Sequence, residues 1–246
     1  MVKIQIKGDI VDNVTAKFYD WFDISCCAPE KVSHLLDSAE KNESVDLEIA
    51  SNGGDVFAAS EIYTMLRQYN GKVNVVIQGL AASAASIIAM AGDHVSIAPT
   101  GQIMIHRAWT TISGNTEALD HASVFLEGTD QAICNAYELK TQLPRNQIIQ
   151  MMGNETWLNA QEAVDKGFAD EILFMDTTKS TTMNAYTSIP SKQAINQFLT
   201  LLAKSENKEK SQVNEKQNNF NDSQPTDSLQ SRKLAILFEK KEGDVH

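Results

Sequence analysis

The sequence predicts an α/β fold around a mainly parallel sheet. Three observations predict it: strand-like apolar patterns recur along the chain, glycine-rich or small residues close two of them, and segments of helical period follow those closures. Repeated strand–helix units of this kind lay parallel strands side by side.

The first strand is read from the alternation of Val2, Ile4 and Ile6 with Lys3, Gln5 and Lys7. A second, over residues 45–50, ends in Ser51-Asn52-Gly53-Gly54, a predicted glycine turn, and the next helix carries Val56, Ala59, Ile62, Tyr63 and Leu66 on one face. The β-branched run over residues 73–77 repeats the arrangement. It is expected to turn sharply through Gly79-Leu80-Ala81-Ala82 into a buried helix after Ser83. Short strands follow over residues 94–98 and 102–106.

A long helix is predicted over residues 116–143, with Leu119, Ala122, Leu126, Ile133 and Tyr137 on one stripe and Pro144 beyond its end. Gly128 inside it marks a kink or a close contact. Residues 144–153 read as a further helix with Ile148, Met151 and Met152 apolar, residues 155–158 as extended chain, and Asn159 as the cap of a short helix ending at Gly167.

The chain has 246 residues, 42% hydrophobic and 22% charged, with a net charge of −11, which fits one ordinary soluble domain plus an appendage. Composition shifts near Thr177, so the globular domain is placed at residues 1–176 and a polar, largely disordered tail at 177–246. Two apolar islands in the tail, residues 194–202 and 233–238, are suited to short helices on a partner. Residues 1–176 hold 11 Lys and Arg against 24 Asp and Glu, a charge of −13, whereas the remainder carries +2. That acid excess argues against nucleic acid or an anionic membrane as the main partner, since both call for basic patches.

The N-terminus lacks an export-type apolar region, and no run reaches membrane-spanning length. Cys26, Cys27 and Cys134 form neither a disulfide framework nor a zinc spacing, so a reducing, cytoplasmic setting is expected. The acids and histidines show no ligand spacing such as His-Glu-x-x-His, and neither a metal nor a cofactor is expected.

Chemistry concentrates at Ser83. Its small neighbours let another backbone approach, and the N-terminus of the following helix offers free N–H groups and the positive dipole end to a developing oxyanion. A serine nucleophile also needs a base. Among the five histidines, His246 is terminal, His34 and His121 sit among polar residues, and His94 opens a strand beside Asp93. His106 instead closes an apolar strand, which delivers an imidazole to a sheet end, the usual site of α/β chemistry. Ser86, one helical turn from Ser83, is the rival nucleophile, but a hydroxyl inside the helix is expected to point at packing or a backbone carbonyl.

The blocks Gly79-x-Ala81-Ala82-Ser83, Ala89-Met90-Ala91-Gly92, Met104-Ile105-His106 and Ser51-Asn52-Gly53-Gly54-Asp55, closed by the run from Ala160 to Ile172, resemble the proteolytic subunit of the Clp protease, ClpP, in the right order. The resemblance implies the ClpP/crotonase-like fold of strand-strand-helix units with a protruding long helix. It also implies a homo-oligomer of stacked rings and polypeptide substrates. It places the nucleophile on Ser83, the general base on His106 and the third triad member on Glu155, where the family has Asp. It puts the oxyanion donors on the N–H groups of Gly54 and Ala84. Extended substrate would pair with Arg107, Ala108 and Trp109 and with the stretch around Gly53, Asp55 and Val56.

Asn52 in place of a usual Pro, Glu155 and the long tail look like the ClpP-related proteases of tailed phages and prophages. That likeness implies ATP-independent cleavage of capsid and scaffold precursors inside the prohead. Alternatives carried beside it are a cellular ClpP-like subunit working with an ATPase, a crotonase-type acyl-CoA enzyme and a non-catalytic capsid scaffold module. A Ser–Lys dyad peptidase ranks low, because no Lys lies between Lys72 and Lys140.

Overall fold

The structure, a computed structural model, describes residues 2–175. The tail, its two apolar islands and His246 lie outside the described residues. In chain order the elements are β1 (Val2–Ile10), α1 (Asn13–Trp21), β2 (Cys26–Cys27), α2 (Pro29–Asp37), β3 (Val45–Gly54), α3 (Val56–Gln68), β4 (Val73–Ala82), α4 (Ala84–Ala89), β5 (His94–Ile97), β6 (Gln102–Ile105), α5 (Thr116–Thr141), α6 (Arg145–Gly153), β7 (Thr156–Asn159), α7 (Ala160–Asp165) and β8 (Glu171–Ile172).

Parallel strands run in the order β2-β1-β3-β4-β5-β8, while β6 pairs parallel with β4 and antiparallel with β7. Period-2 side-chain alternation explains the register. Ile4, Leu47, Val75 and Val95 form one row across four strands, and Ile6, Ile49, Ile77 and Ile97 form the next. All eight are buried, beneath helices that contribute Ala59, Ile62 and Leu66 from α3 and every residue of α4. The opposite face is polar: Lys3 meets Glu48, and the Asn74 amide donates to Asp46 at 3.0 Å. A parallel sheet with only one apolar face is why alternation, rather than continuous apolar runs, marks its strands.

Five expectations change in detail. Residues 51–54 stay within β3 as an irregular ladder with a register shift after Ile49, and Gly53 and Gly54 take φ of 102° and 148°. β4 likewise continues to Ala82, so the sharp turn is the single residue Ser83. Glu155 lies in a turn with φ 48°, and the extended segment begins one residue later. In α5 only the second half is covered: Thr129, Asp130, Ile133, Cys134, Ala136 and Tyr137 are buried, while Leu119 at the start of the predicted stripe is exposed. A Cβ at Gly128 would meet nothing within 4 Å, so this glycine marks no close contact.

Candidate active site

β4 carries the site because it has two partners. Its first half, Asn74 to Ile77, pairs with β5, and its last residues, Leu80 to Ala82, pair with β6. The pair Ala82↔Met104 then brings the residue after β4 level with the end of β6, and the Ser83 N–H donates to the Met104 carbonyl at 2.9 Å. His106 follows β6 directly, and its Nε2 lies 2.7 Å from Ser83 Oγ. A neutral imidazole protonated on Nδ1 accepts the alcohol's hydrogen in that geometry.

Ser83 adopts φ 55° and ψ −124°, a conformation that costs a side-chain-bearing residue about 1–3 kcal/mol. Close packing surrounds it. A Cβ on Gly53 would lie 2.7 Å from the Ala82 carbonyl oxygen and 2.8 Å from the Ser83 Cβ, and one on Gly54 would collide with the Ile10 carbonyl. The close approach expected of the small residues before Ser83 therefore belongs to Gly53, whereas Gly79 has open space around it.

A cavity of about 260 Å³ opens over the Ser83–His106 pair. Gly54 and Ala84 line the same cavity, and Ala84, as the first residue of α4, has an N–H with no acceptor inside the helix. Ile87, Phe57, Phe125, Leu126 and Ile133 make one wall apolar, with the Phe57 and Phe125 ring centroids 5.9 Å apart. Val56, Arg107, Ala108 and Trp109 also line it, and Trp109 is 76% exposed, so it is no core aromatic. Gly53 does not line the cavity but packs against Ser83. Asp55 lines it but commits its carboxylate to capping α3, accepting from the N–H groups of Phe57 and Ala58.

Glu155 is close in register and apart in contact. The β6–β7 ladder pairs Ile105 with Thr156, so one further step sets His106 opposite Glu155. Its carboxylate, however, accepts from the Trp157 indole N–H at 3.3 Å, and among the described residues it makes no hydrogen bond to His106. The rival Ser86 is fully buried, donates to the Ser83 carbonyl at 2.6 Å and sits 2.8 Å from the Tyr137 hydroxyl, away from any imidazole. His34 pairs with Glu30, and His94 with Glu171, on exposed surfaces.

Residues 28–176 match the family model described as Clp protease. The chain belongs to the Clp protease family. It is a serine-type peptidase of that family. It is similar to the ATP-dependent Clp protease proteolytic subunit of Deinococcus radiodurans, 28% identical over 141 residues that span 56% of this chain and 69% of the relative. It is also similar to proteolytic subunit 1 of Chlamydia muridarum, 31% identical over 154 residues, 60% of this chain and 80% of the relative. Proteolytic subunit 2 of Thermobifida fusca is 30% identical over 141 residues, 56% and 70% of the two chains.

Near the site, Asp130 escapes the sequence reading, and so does the polar contact of Tyr137, which the sequence places only on the α5 stripe. Asp130, 5% exposed, accepts the Ala108 N–H at 2.7 Å and lies 3.8 Å from the Arg107 guanidinium, which ties the segment after His106 to α5. Tyr137 reaches the hydroxyl of Ser86. The available signal was a carboxylate four residues after Leu126 and three before Ile133, on the stripe read as core-facing.

Among the described residues no helix is long and apolar enough to cross a membrane.

Proposed function

We propose that this Clp-family peptidase is an endopeptidase whose nucleophile is Ser83 and whose general base is His106; the observation that carries the reading is their 2.7 Å contact beside a cavity. Ser83 Oγ attacks the peptide carbonyl while His106 Nε2 takes its proton. The tetrahedral oxyanion faces the N–H groups of Gly54 and Ala84. His106 then protonates the leaving amine, and water, deprotonated by the same imidazole, releases the acyl group from Ser83. Glu155, across from His106 in the ladder register, takes the orienting role once its carboxylate leaves the Trp157 indole. Extended substrate lies along Arg107, Ala108 and Trp109, with one side chain toward the apolar wall.

Labelling the native protein with a fluorophosphonate and mapping the modified peptide tests this. Modification at Ser83, lost in Ser83→Ala and strongly slowed in His106→Ala, is the expected result; modification elsewhere overturns the site.

For the substrate, we infer capsid or scaffold precursors of a phage head, cut without ATP. The support is the long polar tail, Glu155 in place of Asp and Asn52 in place of Pro. Tethering of a peptidase to a partner-binding tail raises local substrate concentration. A second reading, a proteolytic subunit fed by an ATPase, is favoured by the relatives, which are named ATP-dependent Clp protease proteolytic subunits. Cleavage of the cognate capsid precursor by the purified protein without nucleotide supports the first; degradation of folded proteins only with an added ATPase supports the second. Peptidase chemistry stands against the acyl-CoA enzyme and the non-catalytic scaffold.

A further inference from the structure

The hydrogen bonds behind Ser83 run in one direction. The Ser83 carbonyl accepts twice, from the Ser86 N–H at 2.9 Å and from the Ser86 hydroxyl at 2.6 Å. A serine hydroxyl has one proton, and a carbonyl can only accept, so the Ser86 proton is committed to Ser83. The 2.8 Å contact between Ser86 Oγ and the Tyr137 hydroxyl must then be donated by Tyr137. The chain of donors runs from α5 through α4 to the backbone of the nucleophile.

Each member is held. Tyr137 is 1% exposed on the covered half of α5, with its ring 5.7 Å from that of Phe168. Burial pushes its phenol well above the ordinary range, so the group stays a donor wherever a serine peptidase works. Ser86 has no exposed surface.

The consequence lies in one peptide plane. The bond between Ser83 and Ala84 is trans, so its C=O and N–H point in opposite directions and rotate as a unit. Fixing the Ser83 carbonyl toward Ser86 therefore fixes the Ala84 N–H on the other side, where Ala84 lines the cavity. It also fixes ψ of Ser83 at −124°, a value that the residue does not hold by preference.

We propose that Tyr137 and Ser86 form a positioning relay that locks the Ser83–Ala84 peptide plane and so aims the Ala84 N–H at the oxyanion. Ser86 does not line the cavity, and Tyr137, which does, is 1% exposed with its hydroxyl turned to Ser86. The relay rests on the reading of Ser83 as nucleophile and Ala84 as oxyanion donor, and it adds that the aim of this donor is set from α5.

Tyr137→Phe and Ser86→Ala each delete one oxygen and test it in the full-length protein. In Tyr137→Phe, kcat on a fluorogenic peptide falls about tenfold with KM unchanged, less than the roughly 100-fold loss that follows removal of an oxyanion donor outright. The rate of fluorophosphonate labelling at Ser83 falls by the same factor, and so does affinity for a peptide boronate, while affinity for an unreactive extended peptide holds. Ser86→Ala also loses kcat, and adding Tyr137→Phe to it costs nothing further, because the relay is already cut. Unchanged kcat in either folded variant, a change confined to the melting temperature, or additive losses in the double variant each overturn the relay. Should Tyr137→Phe fail to fold, the kcat of Ser86→Ala alone decides. Labelling of wild-type protein at a residue other than Ser83 overturns the underlying site instead, so the two failures are distinguishable.

Discussion

At Gly53 the backbone passes so close to Ser83 that a single methyl group would overlap the Ala82 carbonyl and the Ser83 side chain, and its φ of 102° already disfavours any L side chain. Gly79, four residues before Ser83 and in the block that marks the family likeness, has neither constraint. Gly53→Ala is therefore expected to lose more than about 100-fold in labelling rate at Ser83, the scale of a displaced catalytic constellation. Gly79→Ala is expected to keep both that rate and the melting temperature. Glu155 gives a second contrast. A buried carboxylate that holds the imidazole tautomer is worth about 10⁴-fold in kcat, but this one is exposed and bonded to the Trp157 indole. Glu155→Gln should lower kcat by only about tenfold to 100-fold, and steady-state kinetics on a peptide substrate measures it. Trp157→Phe, which frees the carboxylate, should leave kcat at or above the wild-type value.

Elements differ in how far their sequence specifies them. The 26 residues of α5 have a cap at Asn115, whose side chain accepts from the Ala118 N–H, and the helix ends at Gln142 in the left-handed conformation. Gly128 inside it has no packing to lose, so Gly128→Ala should stabilise the protein by up to about 1 kcal/mol, the helix-propensity difference; equilibrium urea unfolding measures the gain. Asn159 and Glu162 form the reciprocal cap of α7, as expected from Asn159 alone. Strands with alternating Val, Ile and polar residues and helices with a sustained stripe were legible, and so was the meeting of Ser83 with His106, because both stand where an apolar element stops. What escaped depends on a neighbour. The irregular ladder at residues 51–54 needs the matching shift between Lys7 and Asp9 in β1. The covered half of α5 is set by what packs on it, which a stripe does not encode. The Glu155 carboxylate is claimed by an indole two residues along, and nothing in residue order ranks that over His106.

Across the whole molecule, the acidic domain presents exposed apolar side chains on the uncovered half of α5, among them Leu119 and Val124. The family forms ring oligomers, and a contact between copies of the chain along this half of α5 would bury these side chains. Leu119→Asp with Val124→Asp should shift the protein from oligomer to smaller species in analytical ultracentrifugation while leaving the circular dichroism spectrum intact.

The shared strand β4 has one further implication. The alcohol of Ser83 rides on the body of the sheet, whereas the imidazole of His106 rides on the two-stranded ribbon of β6 and β7, which joins that body through three register pairs at Leu80, Ala81 and Ala82. The two side chains thus stand on opposite banks of a narrow seam. Their 2.7 Å contact therefore depends on how the ribbon is seated on the last three residues of β4.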